Sequence, residues 1–170
     1  MFEKPEIQRL LFATDLSKNA ELAFRYAAAM GETYGARVTI LYVIEKLPPN
    51  ADLLLASLLG YSDIDELNRN TEIELIVRIQ RHIERFCVET VNQPQACRFI
   101  LHEVVVEKGN AVDRILHHAE TGVYDVLVMG SRGHGIIKEA MVGSTSRKVL
   151  AKCPIPLFIV PERRLELHGE

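Results

Sequence analysis

Residues 124–161 read YDVLVMGSRGHGIIKEAMVGSTSRKVLAKCPIPLFIVP, and the fold turns on them. Val126-Leu127-Val128-Met129 is a short run that is apolar on both faces, as in a parallel sheet covered by helices on each side. It ends at Gly130, and residues 130–135 hold three glycines, Gly130, Gly133 and Gly135. Glycine permits a tight turn and lets a ligand reach backbone N–H groups with no Cβ in the way. Further on, Gly143-Ser144-Thr145-Ser146 starts a helix that runs to Lys152. The first N–H groups of such a helix have no internal partner and lie at the positive end of its dipole, where phosphate binds well. No glycine is followed by Lys-Ser or Lys-Thr, and G-x-G-x-x-G is absent, so this is neither a Walker loop nor a dinucleotide fingerprint.

Bulk properties limit what such a loop serves. The chain has 170 residues, enough for one domain with a substantial core. Its net charge of −3 and the absence of tryptophan argue against nucleic acid as a partner. No apolar stretch reaches the length of a membrane span, and MFEKPEIQRL is not a signal peptide, so a cytoplasmic protein is expected. Cys87, Cys97 and Cys153 form no C-x-x-C or zinc pattern and read as reduced core thiols.

Residues 7–13 form a strand that delivers Thr14-Asp15-Leu16-Ser17 to the C-terminal edge of the sheet, where open α/β sheets bind ligands. Ser17 or Asp15 can cap the next helix, whose stripe of Ala20, Ala23, Phe24, Ala27 and Met30 suits packing on a sheet; Gly35 closes it. Residues 38–44 (VTILYVI) are the second strand. Pro48-Pro49 opens an irregular insert over 48–70, with a short helix expected at 53–60. Thr71-x-x-Glu74 is a capping box that starts the longest helix, reaching about Val91. After the turn at Asn92-Gln93-Pro94, residues 99–106 read as a strand, and Gly109-Asn110-Ala111 leads into a helix. His117 and His118 point about 100° apart on that helix, so with His102 they make no metal site. The last strand, Leu157-Phe158-Ile159-Val160, has prolines on both flanks, which suits a sheet edge. Residues 162–170 are a charged tail.

Five strands alternating with four main helices predict a single α/β domain over residues 1–170, with a parallel sheet and helices on both faces. The spacing G-x2-G-x9-G-[ST] after a buried strand, together with the flanking segments from Leu10 to Pro161, resembles the universal stress protein family. That resemblance implies an adenine nucleotide alpha hydrolase-like fold with strand order 3-2-1-4-5 and an ATP site between strands 1 and 4. By it, Ala13, Thr14 and Asp15 line the adenosine half, with Asp15 near the base and the backbone of Val43 meeting adenine. Met129 and Gly130 lie under ribose and phosphates, Arg132 and Gly133 continue the loop, and Gly143, Ser144 and Thr145 hold phosphate; ATP binds alone or with Mg2+ or Mn2+.

The leading function is an ATP-binding stress-response module or switch, with a homodimer through Leu157, Phe158, Ile159 and Val160. No catalytic residue is assigned. The alternatives are a slow ATPase or phosphoryl or nucleotidyl transferase drawing on Arg132, His134 and Lys138, and an interaction dimer with an empty pocket.

Overall fold

A computed structural model describes residues 5–45, 72–91, 100–133 and 142–162. The expected insert at 48–70 with its short helix, the capping residue Thr71, the turn at 92–94, Gly135, His134, Lys138 and the tail beyond Glu162 lie outside them.

Among the described residues five strands and four helices alternate: β1 (Arg9–Thr14), α1 (Lys18–Tyr34), β2 (Arg37–Ile44), α2 (Glu72–Val91), β3 (Leu101–Lys108), α3 (Ala111–Glu120), β4 (Val126–Gly130), α4 (Ser144–Lys152) and β5 (Leu157–Val160). The strands form one sheet in the order β3-β2-β1-β4-β5, and every pairing is parallel. This is the single-domain α/β architecture expected, with β1 and β4 adjacent at its centre. Their register, Leu10 with Val126 through Ala13 with Met129, brings both strands to their C-terminal ends together.

Strand periodicity sorts the side chains onto two faces. Leu10, Phe12, Val38, Ile40, Val126 and Val128 face α1 and α2, packing against Ala20, Ala23, Phe24, Ala27, Ile79 and Ile83. Phe12 and Phe24 meet at 5.3 Å between ring centroids, and Phe24 and Phe86 at 5.6 Å, so this layer is tied by an aromatic chain. Leu11, Ala13, Leu41, Leu127 and Met129 face the other way, against Ile115 of α3 and Val149 of α4. Helix α1 starts at Ser17, whose hydroxyl accepts from the Ala20 N–H at 3.2 Å, and ends at Gly35 with φ 65°. Ser17, not Asp15, is therefore the cap.

Two expectations are corrected. Strand β3 spans Leu101–Lys108, beginning and ending two residues later than expected, because its ladder with β2 continues through Val43 with Glu107 and Ile44 with Lys108. Ile100 instead packs into the core beside α1. Cys87 is disulfide-bonded, to a partner outside the described residues, not a reduced thiol, whereas Cys153 is free. Pairing depends on Cα separation in space, which the spacing of cysteines along a sequence does not report.

Gly31, inside α1, gives a test of this packing. An alanine there ordinarily gains about 0.5–1 kcal/mol in a helix. Here its Cβ would stand 2.7 Å from Ile100 Cγ2 and 3.2 Å from the Ala36 carbonyl oxygen. Ile100 is β-branched and buried, so the clash wins and Gly31→Ala is expected to destabilise by about 1–3 kcal/mol. Thermal unfolding should show a melting temperature lower by several degrees; an increase would contradict the contact.

Candidate functional site

The strand order reverses beside β1: the chain leaves β1 for β2 on one side and returns to β4 on the other. Such a switch point leaves a crevice at the C-terminal ends of the strands. The structure places Ala13, Thr14 and Asp15 on one side of it, and Met129, Gly130, Arg132 and Gly133 on the other. Gly143 is the N-cap of α4, with Ser144 and Thr145 in its first turn. Val43 stands one position past the last β1–β2 pair, Thr14 with Tyr42, at the margin of the same crevice.

The glycines are packed against the protein itself. A Cβ on Gly133 would run into the Asp15 carboxylate, and one on Gly130 would come within 2.7 Å of the Asn19 amide nitrogen. One on Gly143 would lie 3.3 Å from the Ser131 carbonyl oxygen. The loop therefore lies directly over Asp15, a closeness that only glycine permits at Gly133.

Three buried polar residues that the motif spacing does not pick out shape this loop: Asn19, Ser131 and Ser146. The Ser131 N–H donates to Val160 O at 2.8 Å, its carbonyl accepts from the Gly143 N–H at 2.6 Å, and its hydroxyl accepts from the Glu162 N–H at 3.2 Å. The Ser146 hydroxyl donates to Gly130 O at 2.9 Å, and the Asn19 amide donates to Arg132 O at 3.1 Å. Asn19 Oδ1 is buried without a hydrogen-bond partner among the described residues. Serine after a strand and asparagine in a first helical turn are common residue types, so only their partners distinguish them.

Among the described residues no side chain caps α4 at Gly143. The Gly143 N–H is taken by Ser131, leaving the Ser144 and Thr145 N–H groups, with their hydroxyls, as the donors of the helix terminus. These can receive an anion. The Arg132 guanidinium pairs with Glu162 at 3.1 Å.

Across the crevice, Asp15 Oδ1 accepts from the Ser17 N–H at 3.0 Å while Oδ2 faces Gly133. Tyr42 lies nearby on β2, its hydroxyl pushed up to about 12 by burial and then by the Asp15 charge. The histidines have other roles. His118 Nε2 pairs with Glu107 at 2.9 Å, and His102 Nδ1 meets Arg37 at 3.3 Å.

A parallel sheet of this order, with a helix terminus and a glycine loop meeting at its switch point, defines an open α/β protein whose crevice lies at the carboxyl ends of its central strands. The chain matches the universal stress protein family over residues 6–161 and belongs to it. Universal stress protein MJ0577 of Methanocaldococcus jannaschii is 24% identical over 156 residues, covering 92% of this chain and 96% of that protein. The stress response protein NhaX of Bacillus subtilis is 26% identical over 164 residues, covering 89% and 96%. The solved structure of MJ0577 superposes with a TM-score of 0.68 at 21% identity, over 94% of this chain and 99% of that one. A universal stress protein in complex with cAMP gives 0.55 at 18% identity, over 92% and 98%. One from Archaeoglobus fulgidus in complex with dAMP gives 0.54 at 17%, over 93% and 100%. These structures share the fold.

The Tyr42–Asp15 neighbourhood has a pH signature. Because the folded hydroxyl titrates near 12 and the unfolded one near 10, only the unfolded chain loses this proton between those values. Stability from burying the neutral phenol is thus complete below pH ~10 and lost as pH rises toward ~12, by about 2–3 kcal/mol in total. Tyr42→Phe should remove that part of the alkaline loss, seen by comparing urea midpoints at pH 8 and 11. Asp15→Asn should lower the Tyr42 value yet leave it above the usual tyrosine range, since burial is the larger cause. Phenolate absorbance reads this directly, and identical titrations in both proteins would rule out proximity of the two groups.

Proposed function

We propose that this chain binds an adenine nucleotide, ATP, in the crevice between β1 and β4 and acts as a nucleotide-dependent stress-response module. The observation that carries this reading is the uncapped N-terminus of α4 beside the Gly130–Gly133 loop, opposite Asp15. The Ser144 and Thr145 N–H and hydroxyl groups would take phosphate oxygens, needing no lysine. Asp15 would accept a hydrogen bond from the adenosine half, with Ala13, Thr14 and the Val43 backbone forming the wall beside the base. Asn19 Oδ1, an orphaned buried acceptor beside the loop, fits a ligand that brings a donor there. Met129 and Gly130 would form the floor under the ribose, and Gly133 would continue the loop over it. Relatives solved with cAMP and dAMP support an adenine ligand for this fold.

Arg132 bears on the choice between binder and enzyme. Phosphoryl transfer needs a cation poised at the transferring group, and the Arg132 guanidinium is held by Glu162. This favours binding with at most slow turnover, and Arg132 contributes to the site through its backbone. Gly143→Val should weaken ATP binding at least a hundredfold while circular dichroism stays unchanged, because its methyls crowd the helix terminus. Ser144→Ala, which removes one hydroxyl bond of about 0.5–1.5 kcal/mol, should cost no more than about tenfold. Calorimetry should also give tighter binding of ATP than GTP, with the preference reduced in Asp15→Ala. Equal affinities in the wild type would exclude Asp15 as the base-reading group.

The same reading includes a homodimer through β5. Among the described residues that strand pairs only with β4 and so offers an open edge. Phe158 on it is 41% exposed and stacks at 5.8 Å on Tyr26, itself 38% exposed, making an apolar surface beside the edge. Two-fold pairing of Leu157–Val160 would cover both. Light scattering at micromolar concentration should give twice the chain mass, and Phe158→Lys, at an exposed position, should shift the protein toward monomer. A monomeric wild type would end this assignment.

A further inference from the structure

The opposite, N-terminal edge of the sheet carries a half-open cavity of about 240 Å³, lined by Arg9, Arg37, Thr39, His102, Glu103 and Tyr124 among others. Arg9 and Arg37 begin their strands as direct cross-strand partners. Like charges in that register cost stability unless something negative lies between them. Neither guanidinium pairs with a carboxylate among the described residues. The Asp125 carboxylate turns to the backbone, its Oδ2 accepting from the Gln8 and Arg9 N–H groups at 2.8 and 2.9 Å, and it is not part of the cavity lining. Glu103 supplies the single negative charge of the lining against two arginines, so the cavity is net positive.

The remaining lining groups are donors. The β2–β3 register shifts between Val38 and Thr39, whose partners are Leu101 and Glu103, leaving His102 as the extra residue of a bulge. Bulges redirect side chains, and here Arg37 Nη2 reaches His102 Nδ1 at 3.3 Å. A ring that accepts at Nδ1 carries its proton on Nε2, which is then a neutral donor. Thr39 is 2% exposed, and its hydroxyl has no hydrogen-bond partner among the described residues. Thr39 lies two positions beyond Arg37 on β2, on the same face of the strand, and lines the cavity.

We propose that this cavity binds a small oxyanion, a phosphate or carboxylate group, between Arg9 and Arg37, with Thr39 and His102 as neutral donors. Guanidinium groups grip both chemistries through paired N–H donors, and binding relieves the arginine–arginine repulsion. The site is separate from the nucleotide crevice and does not depend on that assignment.

The test is NMR of the full chain titrated with inorganic phosphate and, separately, acetate at constant pH and ionic strength. At least one anion should produce saturable shifts of the Arg9 and Arg37 Nε–H signals and the Thr39 amide; which one saturates identifies the natural ligand's group. Arg9→Met and Arg37→Met, at exposed positions, should each weaken binding at least tenfold, and together abolish saturation. Thr39→Val, which keeps the shape and removes the hydroxyl, should weaken it severalfold. Phosphate shifts at Ser144 and Thr145 should persist in the double variant, since they report the other edge of the sheet. Linear, non-saturating shifts at Arg9 and Arg37 with both anions would overturn the proposal. So would saturation that survives in the double variant.

Discussion

Ser131 takes part in three hydrogen bonds that together decide the geometry of the crevice. Its N–H holds Val160 at the end of β5, its carbonyl holds the Gly143 amide at the start of α4, and its hydroxyl holds Glu162 beyond β5. The residue is 3% exposed, so these bonds form away from competing water, and leaving any of them unmade costs the full desolvation of the group. One serine thereby joins the exit of β4, the entry to α4 and the exit of β5. Ser146 and Asn19 extend the framework by holding the carbonyls of Gly130 and Arg132 from either side. The loop backbone is anchored at successive positions, and the Ser144 and Thr145 N–H groups inherit a defined direction.

This framework changes the meaning of the glycines. From spacing alone they read as room for a ligand. In the folded chain Gly133 is small because Asp15 lies against it, and Gly130 because Asn19 does. The glycines bring two loops of the protein together at the switch point, and any ligand meets a surface already assembled. Preorganisation of this kind lowers the ordering cost of binding for any ligand that enters the crevice.

Legibility followed the kind of signal. Strands β1, β2, β4 and β5 were readable because a parallel sheet covered on both faces demands continuous apolar runs, as in Leu10-Leu11-Phe12-Ala13 and Val126-Leu127-Val128-Met129. Helix α1 was readable from Ser17, its alanine stripe and Gly35. Strand β3 slid by two residues because Glu107 and Lys108, charged and at a margin, carry no apolar signature while still pairing with β2. The crevice-lining positions were readable as strand ends and helix starts. Asn19, Ser131 and Ser146 were not, since their contribution lies in partners far away in sequence, as with Asn19 and Arg132. The cysteine assignment failed for a related reason, because the disulfide at Cys87 is a fact of spatial proximity.

Leu16 shows how far the chain departs from easy geometry to present Asp15. It is the only non-glycine among the described residues with positive φ, at 62°. For a leucine that conformation costs about 1–2 kcal/mol. Two local bonds hold it: the Leu16 N–H donates to Thr14 Oγ1 at 3.0 Å, and the Ser17 N–H donates to Asp15 Oδ1 at 3.0 Å. The side chain, 8% exposed, is folded into the core with Phe24, and its burial is worth about 1.5–3 kcal/mol, enough to offset the strain. Thr14 and Ser17 are thus structural on either side of the strained residue, and the reversal they stabilise turns Asp15 Oδ2 toward Gly133 instead of toward the α1 terminus. An aspartate serving only as a cap would not require Leu16 in this conformation, because Ser17 already caps α1. Leu16 thus occupies the turn that brings the Asp15 carboxylate against the glycine loop, at the point where the two central strands end.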